Sequence, residues 1–399
     1  MENFFKRKLK NGITVLLEKR ALPLVSVSIT NRFGGAYEKS EIKGIAHLIE
    51  HLVFTGTETR THEDISREIE KKGGILNAFT VQEITSFHFK MPSEHLFSGL
   101  DILIDILKNP KFDRKKFEKE KKVILEEIKM YKDDPQKHVF ELIERALFDK
   151  PFGEGVIGNE ESIKRMNREF VFDFFKKAYN PANYVITIVG DADFEKICGY
   201  LESNFDGNKS NLDGIKIIRK NEEIVVEREG IDQANFVFAV HAPLASDKDY
   251  YALEVLDAYL ADGMSSKLFL KIREEKGLAY AIKSSIATEK NYSYYLIYVG
   301  TMKDKVDEVK KLILEGFRDI KNMNEKDLRE AKDRIVGLRH IAREDSSKVM
   351  NELMFAEIVG NGEDYYKHDD KVREVRLEEV KKLAKMLVTE YSTALILPK

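Results

Sequence analysis

The segment GIAHLIEHLVF, residues 44–54, carries three ionisable side chains in an otherwise apolar run. On an α-helix, positions i and i+4 lie about 40° apart and about 6 Å along the axis, so His47 and His51 point the same way and can share one ion. Two imidazoles suit a tetrahedral zinc, with nitrogen distances of about 2.0–2.1 Å. Glu50, at i+3 from His47, falls on the same face, placed to reach a water on the ion without ligating it. Ile45, Leu48, Ile49 and Leu52 cover the rest of the helix, and a polar stripe among them is costly unless it has a partner. A lone histidine in such a setting is usually a hydrogen-bonded core residue. The spaced trio is different: with only nine histidines in the chain, chance matches to His-x-x-Glu-His number on the order of 0.02.

Two histidines leave zinc short of a protein ligand, and FEKEKKVILEEIKMYKDD, residues 117–134, offers it. Phe117, Ile124, Ile128 and Tyr131 form an apolar helical stripe, with Glu120 and Glu127 inside it and Glu126 turned to water. Inward carboxylates need a cation or strong donors. Glu127 is the expected third ligand, and Glu120 a carboxylate that supports the ligands or the base. Lys116, Lys119 and Glu126 read as a solvated charge run.

The elements that must position these groups follow from pattern. GITVLLEK and LVSVSITNRFGG read as strands. A helix over SEIKGIAHLIEHLVFTG comes next, with Ser40 as its cap, then a helix capped by Thr61 and stopped by Gly73 and Gly74. ILNAFTVQEITSFHFKM returns to strand. Helices cover 94–108, 113–132, 137–148 and 161–178, and NYVITIVGD is a buried strand. After the turn-rich FDGNKSNLDG the order recurs: strands in EEIVVEREG and QANFVFAVHAP, helices in DYYALEVLDAYLADG and SSKLFLKIREEKG, then strands, helices and a last strand, TALILP. REIEKKGGILNAFT and LKIREEKGLAYAIK hold equivalent places, as do YVITIVGD and TALILPK.

The fold class is therefore α+β, one unit of roughly 200 residues used twice, each a mainly antiparallel β-sheet packed with α-helices. The expected domains are 1–208 and 222–399, joined by a linker over 209–221. Only the first copy has the histidines; LEVLDAYLADG stands in their place in the second.

Bulk composition fits this picture. Of the 399 residues 43% are hydrophobic and 34% charged, as in a globular protein with real cores. A net charge of -3 gives no pull toward nucleic acid or acidic membranes. Neither a signal-like stretch nor an 18-residue apolar run occurs, so a cytoplasmic protein without membrane contact is expected. The single cysteine, Cys198, excludes an internal disulfide.

These residues resemble the pitrilysin/insulinase-type zinc metallopeptidases, the inverzincins, including the half-length members related to mitochondrial processing peptidase. The resemblance rests on GIAHLIEHLVFTGT, GGILNAFT, EKEKKVILEEI and KIREEKGLAYAI, and spans essentially the whole chain. It implies one zinc ion per chain on His47, His51 and Glu127, with Glu50 as catalytic base and Glu120 as a further acidic residue of the site. It also implies that Asn77, Ala78, Phe79 and Thr80 pair with substrate backbone by strand addition. In the second copy, Arg273 and Tyr280 match the family's Arg-x-x-x-Gly-Leu-x-Tyr pair that reaches the substrate near the scissile bond.

Members of this length usually assemble two chains around a chamber. The implied activity is zinc-dependent endopeptidase cleavage of oligopeptides or unfolded, presequence-like polypeptide. Because both residue sets occur in this chain, a homodimer is the first expectation and a heterodimer with a related chain the alternative. The rival is a non-catalytic scaffold subunit of the same fold, against which the intact ligand set argues.

Overall fold

In the computed structural model, residues 3–207, 212 and 214–399 are described. The strands are β1 (Phe4–Lys8), β2 (Thr14–Lys19), β3 (Leu24–Asn31), β4 (Ile75–Thr80), β5 (Thr85–Pro92), β6 (Tyr184–Gly190), β7 (Glu223–Arg228), β8 (Ala234–His241), β9 (Ala279–Thr288), β10 (Ser293–Thr301) and β11 (Ser392–Pro398). They form two sheets, in the orders β1-β2-β6-β3-β5-β4 and β7-β11-β8-β10-β9. Without β1, the first order maps strand for strand onto the second. One pair in each sheet is parallel, β2 with β6 and β7 with β11, and the other pairs are antiparallel. Here the repeat read from sequence becomes topology: β4 and β9 occupy equivalent edges, β6 and β11 equivalent interior places. β1 was not foreseen, because FFKRK exposes nearly all its side chains and has no apolar alternation.

Chain contacts divide the molecule into two compact units. One comprises Met1–Ile128, Gly155–Lys216 and Ala342–Tyr365; the other comprises Lys129–Glu154, Ile217–Ile341 and Tyr366–Lys399. Both are thus discontinuous, unlike the single division at 209–221 expected from the sequence. Residues 208–211 and 213, on which part of that linker falls, lie outside the described residues. The interleaving has a simple cause. A sheet with two apolar faces needs cover on both, and a unit's own helices lie on one. In the first unit the other face is covered by the Ser346–Val359 helix, whose Met354 and Ile358 pack with Leu16, Ile84 and Val185. Ser346 and Ser26 join their hydroxyls there at 2.8 Å. In the second unit the same service comes from the Pro135–Leu147 helix, which lies on β11 and β8.

Four helices matter for the site: α1 (Ile45–Val53), α2 (His62–Glu70), α3 (Leu96–Lys108) and α4 (Arg114–Asp133). α1 does not start at Ser40. Residues Ser40–Ile42 form a short 3-10 turn, and α1 begins after Gly44, which has φ +92°. A Cβ there would also meet the Ile157 carbonyl at 2.6 Å, so glycine is required twice over. The cap is Glu38, which accepts from the N–H groups of Gly44 (2.9 Å) and Ala46 (2.7 Å). Its carboxylate is buried beside Lys43, whose ammonium also donates to the Gly35 carbonyl at 2.7 Å. A buried carboxylate holding helix N-terminal donors and a paired ammonium satisfies both charges.

α2 starts as expected, with Thr61 and Asp64 forming a capping box. The helical stretch 161–178 is broken: Glu160–Arg165 and Arg168–Ala178 are separate helices, the second capped by the Asn167 side chain. SSKLFLKIREEKG winds as a π-helix over Phe269–Glu275.

Candidate metal centre

α1 buries Ile45, Leu48, Ile49 and Leu52 and leaves His47 and His51 partly exposed, as its pattern requires. Their rings lie 4.7 Å apart at 68°. α4 buries Phe117, Ile124 and Ile128, while Tyr131 is 42% exposed; the apolar stripe ends one turn earlier than its periodicity suggested. Glu126 faces water.

Two lysines fix α4 against the rest of the unit. Lys116 donates to the Thr55 carbonyl just after α1, so it is an anchor and not part of a solvated run. Lys121, buried, donates to the carbonyls of Lys164 (3.1 Å) and Met166 (2.8 Å).

That registration brings α4 carboxylates to the histidines. Glu127 Oε2 lies 4.0 Å from His47 Nε2 and 3.7 Å from His51 Nε2. Ligand atoms of His47, His51 and Glu127 all lie within 4.8 Å of one another, and no other His, Cys, Asp or Glu trio among the described residues gathers so closely. A tetrahedral ion with ligands at 2.0–2.1 Å would set its ligand atoms about 3.3 Å apart, so the Glu127–imidazole separations would close by roughly half an ångström and the widest separation in the trio by up to about 1.5 Å. Side-chain exposures of 18%, 19% and 29% leave the cluster open on one side. It therefore suits an ion that keeps a position for water or substrate.

Glu120 takes a different place. Its Oε2 lies 3.3 Å from His51 Nδ1 and accepts a hydrogen bond from that N–H, which orients the ring with Nε2 toward Glu127. His47 Nδ1 is buried with no hydrogen-bond partner among the described residues. The surroundings push the two rings apart. Burial, and then the neighbouring His51, lower the His47 pKa to about 3. Burial also opposes charge on His51, but the Glu120 hydrogen bond and the Glu127 and Glu50 carboxylates outweigh it and raise that pKa. Burial raises Glu50 as well, while Thr80 and His51 hold it down.

Among the described residues β4 ends the first sheet and pairs with β5 alone, so its other edge has no strand partner. Alternation along it sends Leu76 and Ala78 to the core shared with α1, and Phe79 to the opposite face. Thr80 donates to Glu50 Oε2 at 2.5 Å. Asn77 Oδ1 accepts from the Ala78 N–H at 2.8 Å. Between α1, α2 and β4 opens a cavity of about 590 Å³, lined by Glu50, His51, Phe54, Ile65, Leu76 and Glu120 among others.

Arg273 and Tyr280 belong to the second unit. Arg273 lies over the Phe269 ring at 5.0 Å, and Tyr280 is 61% exposed on the edge strand β9. Sequence reasoning missed Glu38 as the cap of α1 and Lys116 as an anchor. Nothing in the sequence pointed to either, since both act through backbone groups that only the fold brings close.

A duplicated α+β chain with a His-His-Glu cluster in one copy alone defines a recognisable class. The chain belongs to the insulinase peptidase family, M16. Residues 14–160 match the model described as Insulinase (Peptidase family M16), and residues 165–335 match the one described as the Peptidase M16 inactive domain. An uncharacterized zinc protease of Rickettsia felis is 33% identical over 342 residues, covering 84% of this chain and 82% of that one. The uncharacterized zinc protease YmxG of Bacillus subtilis is 30% identical over 405 residues, covering 98% and 97%. The fold is shared with a protease from Helicobacter pylori, at a TM-score of 0.93, 20% identity and 99% coverage of both chains. It is also shared with a Pseudomonas fluorescens protein described as a peptidase M16 inactive domain, at a TM-score of 0.90, 18% identity and coverage of 100% and 98%.

Proposed function

We propose that the chain is a zinc-dependent endopeptidase acting on extended or unfolded polypeptide. The observation that carries this is the approach of His47, His51 and Glu127 within 4.8 Å, with Glu50 on the same helix. The donor set fits zinc: two imidazole nitrogens, one of them oriented by Glu120, and one carboxylate oxygen. Bound there, one zinc per chain supplies Lewis acidity to the scissile carbonyl and acidifies water.

The chain's own residues do the rest. Glu50 accepts the proton of the attacking water and delivers it to the leaving amine; burial, which raises its pKa, makes its carboxylate the stronger base for the first half of that transfer. The free edge of β4, over Asn77, Ala78 and Phe79, takes the substrate backbone as an added strand, and the cavity beside Glu50 takes a side chain. From the second unit, Arg273 orients the peptide and the Tyr280 hydroxyl donates to the carbonyl oxygen as charge develops. Their exposure supports that role. The working assembly is a chamber of two chains, as a homodimer, which limits substrates to unfolded segments.

The test compares wild type with Glu50→Gln on an unstructured peptide, with zinc content measured in both. Both proteins are expected to hold zinc, and the variant to lose roughly 10²–10⁴-fold in cleavage rate. Equal cleavage by the Gln variant refutes Glu50 as the base, and a wild type without zinc refutes the whole reading.

A further inference from the structure

β4 meets α1 through a side chain as well as through packing. Thr80, its last residue, donates its hydroxyl to Glu50 Oε2 at 2.5 Å. The expectation that Thr80 pairs with substrate concerns its backbone; its side chain is already committed. The hydroxyl is itself well fixed. Thr80 pairs with Thr85 across the β4–β5 hairpin, and the turn is closed by the Val81 N–H donating to the Ile84 carbonyl at 2.9 Å. A β-branched side chain in a strand has restricted χ1, which limits where the hydroxyl oxygen can sit.

Glu50 lacks that constraint of its own. The last torsion of a glutamate is broad, and an unheld carboxylate swings between orientations. A donor on Oε2 fixes its plane and leaves Oε1 as the oxygen that takes a proton. We propose that Thr80 is the positioning residue of the catalytic base: its hydroxyl holds the Glu50 carboxylate in the orientation needed for proton transfer. The proposal rests on the peptidase reading above for its kinetic consequence, and on geometry alone for the contact.

Two variants separate the hydroxyl from the shape. Thr80→Val keeps the branched side chain and removes the donor; Thr80→Ser keeps the donor and removes a methyl. With the zinc-loaded protein and an unstructured peptide, Thr80→Val is expected to lower kcat roughly ten- to a hundredfold, with KM within about twofold, the scale of a hydrogen bond to a charged group. Zinc content stays at the wild-type level, and Thr80→Ser keeps kcat within about threefold.

A second measurement needs no turnover. In chemical denaturation of the zinc-loaded protein, Thr80→Val lowers the unfolding midpoint in the wild-type background and not in the Glu50→Ala background, because the partner is gone. The proposal is overturned if KM rises while kcat holds, if Thr80→Val sheds zinc, if Ser falls as far as Val, or if the midpoint drops equally in both backgrounds. A wild type that holds zinc and cuts no peptide overturns the peptidase reading, and the denaturation cycle still decides the contact.

Discussion

The first unit's α1 and the second unit's Tyr250–Leu260 helix are the same element put to different uses. Both end three residues before a glycine with positive φ, Gly56 and Gly263 (56 − 53 and 263 − 260). Counting back from those glycines, Glu50 meets Asp257, His47 meets Glu254 and His51 meets Ala258. The second copy thus keeps a carboxylate at the position of the proposed base, half-buried and accepting from Tyr295 Oη at 2.8 Å. Where His47 stands in the first, it has Glu254, which binds His368 at 2.8 Å from another helix. One copy aims its polar positions at an open cluster. The other pairs each within its own fold, and the position of His51 became alanine. The second copy has neither imidazole, and the carboxylates that stand at these positions are closed by hydrogen bonds, because polar groups inside a packed helix face must find partners.

The largest expected effect breaks that comparison outright. His51→Ala should strip zinc from the protein under a mild chelator, while Glu254→Ala, at the position matching His47, should leave zinc content unchanged by metal analysis. A zinc loss in both would mean that the second unit takes part in holding the ion.

A smaller effect sharpens the role of α4. Glu120→Gln removes the charge that orients His51 but leaves the three ligands; zinc affinity is expected to fall roughly ten- to a hundredfold in competition titration. Unchanged affinity would reduce Glu120 to a bystander.

The smallest concerns the second unit alone. Burial raises the Asp257 pKa to about 6, against the nearby Ser284 hydroxyl and the Tyr295 hydrogen bond that lower it. A carboxyl with a folded pKa above its unfolded value holds its proton more tightly when folded. Its contribution to stability is therefore greatest below the unfolded pKa of about 3.9, declines as pH rises to about 6, and is flat beyond. Asp257→Asn removes the decline, so the variant should gain on wild type in unfolding midpoint between pH 4 and pH 7. A difference that is the same at both pH values would show that Asp257 folds without strain on its charge.

Much of the candidate site was legible because it lies on helices whose period is fixed. His47, Glu50, His51, Glu120 and Glu127 could be assigned to faces by counting residues, and the structure brings them to one place. Legibility ended where partners came from elsewhere in the chain. Tyr131 fits the α4 stripe by period, yet it lies outside the core, with the Lys137 ammonium over its ring at 4.9 Å, since the buried apolar residues of the helix stop at Ile128. Ser40 had the chemistry of a cap, yet Glu38 does the capping because Gly44 turns the chain and sets α1 on another line.

The sequence by itself determined the repeat, the α+β class and the ionisable stripes, because alternation and helical period depend only on neighbours along the chain. Tertiary structure alone decided which helix covers the second face of each sheet, which lysines register α4, and that Thr80 meets Glu50. Those contacts join residues that no period relates, and a side chain's partner across the fold is set by how whole elements pack.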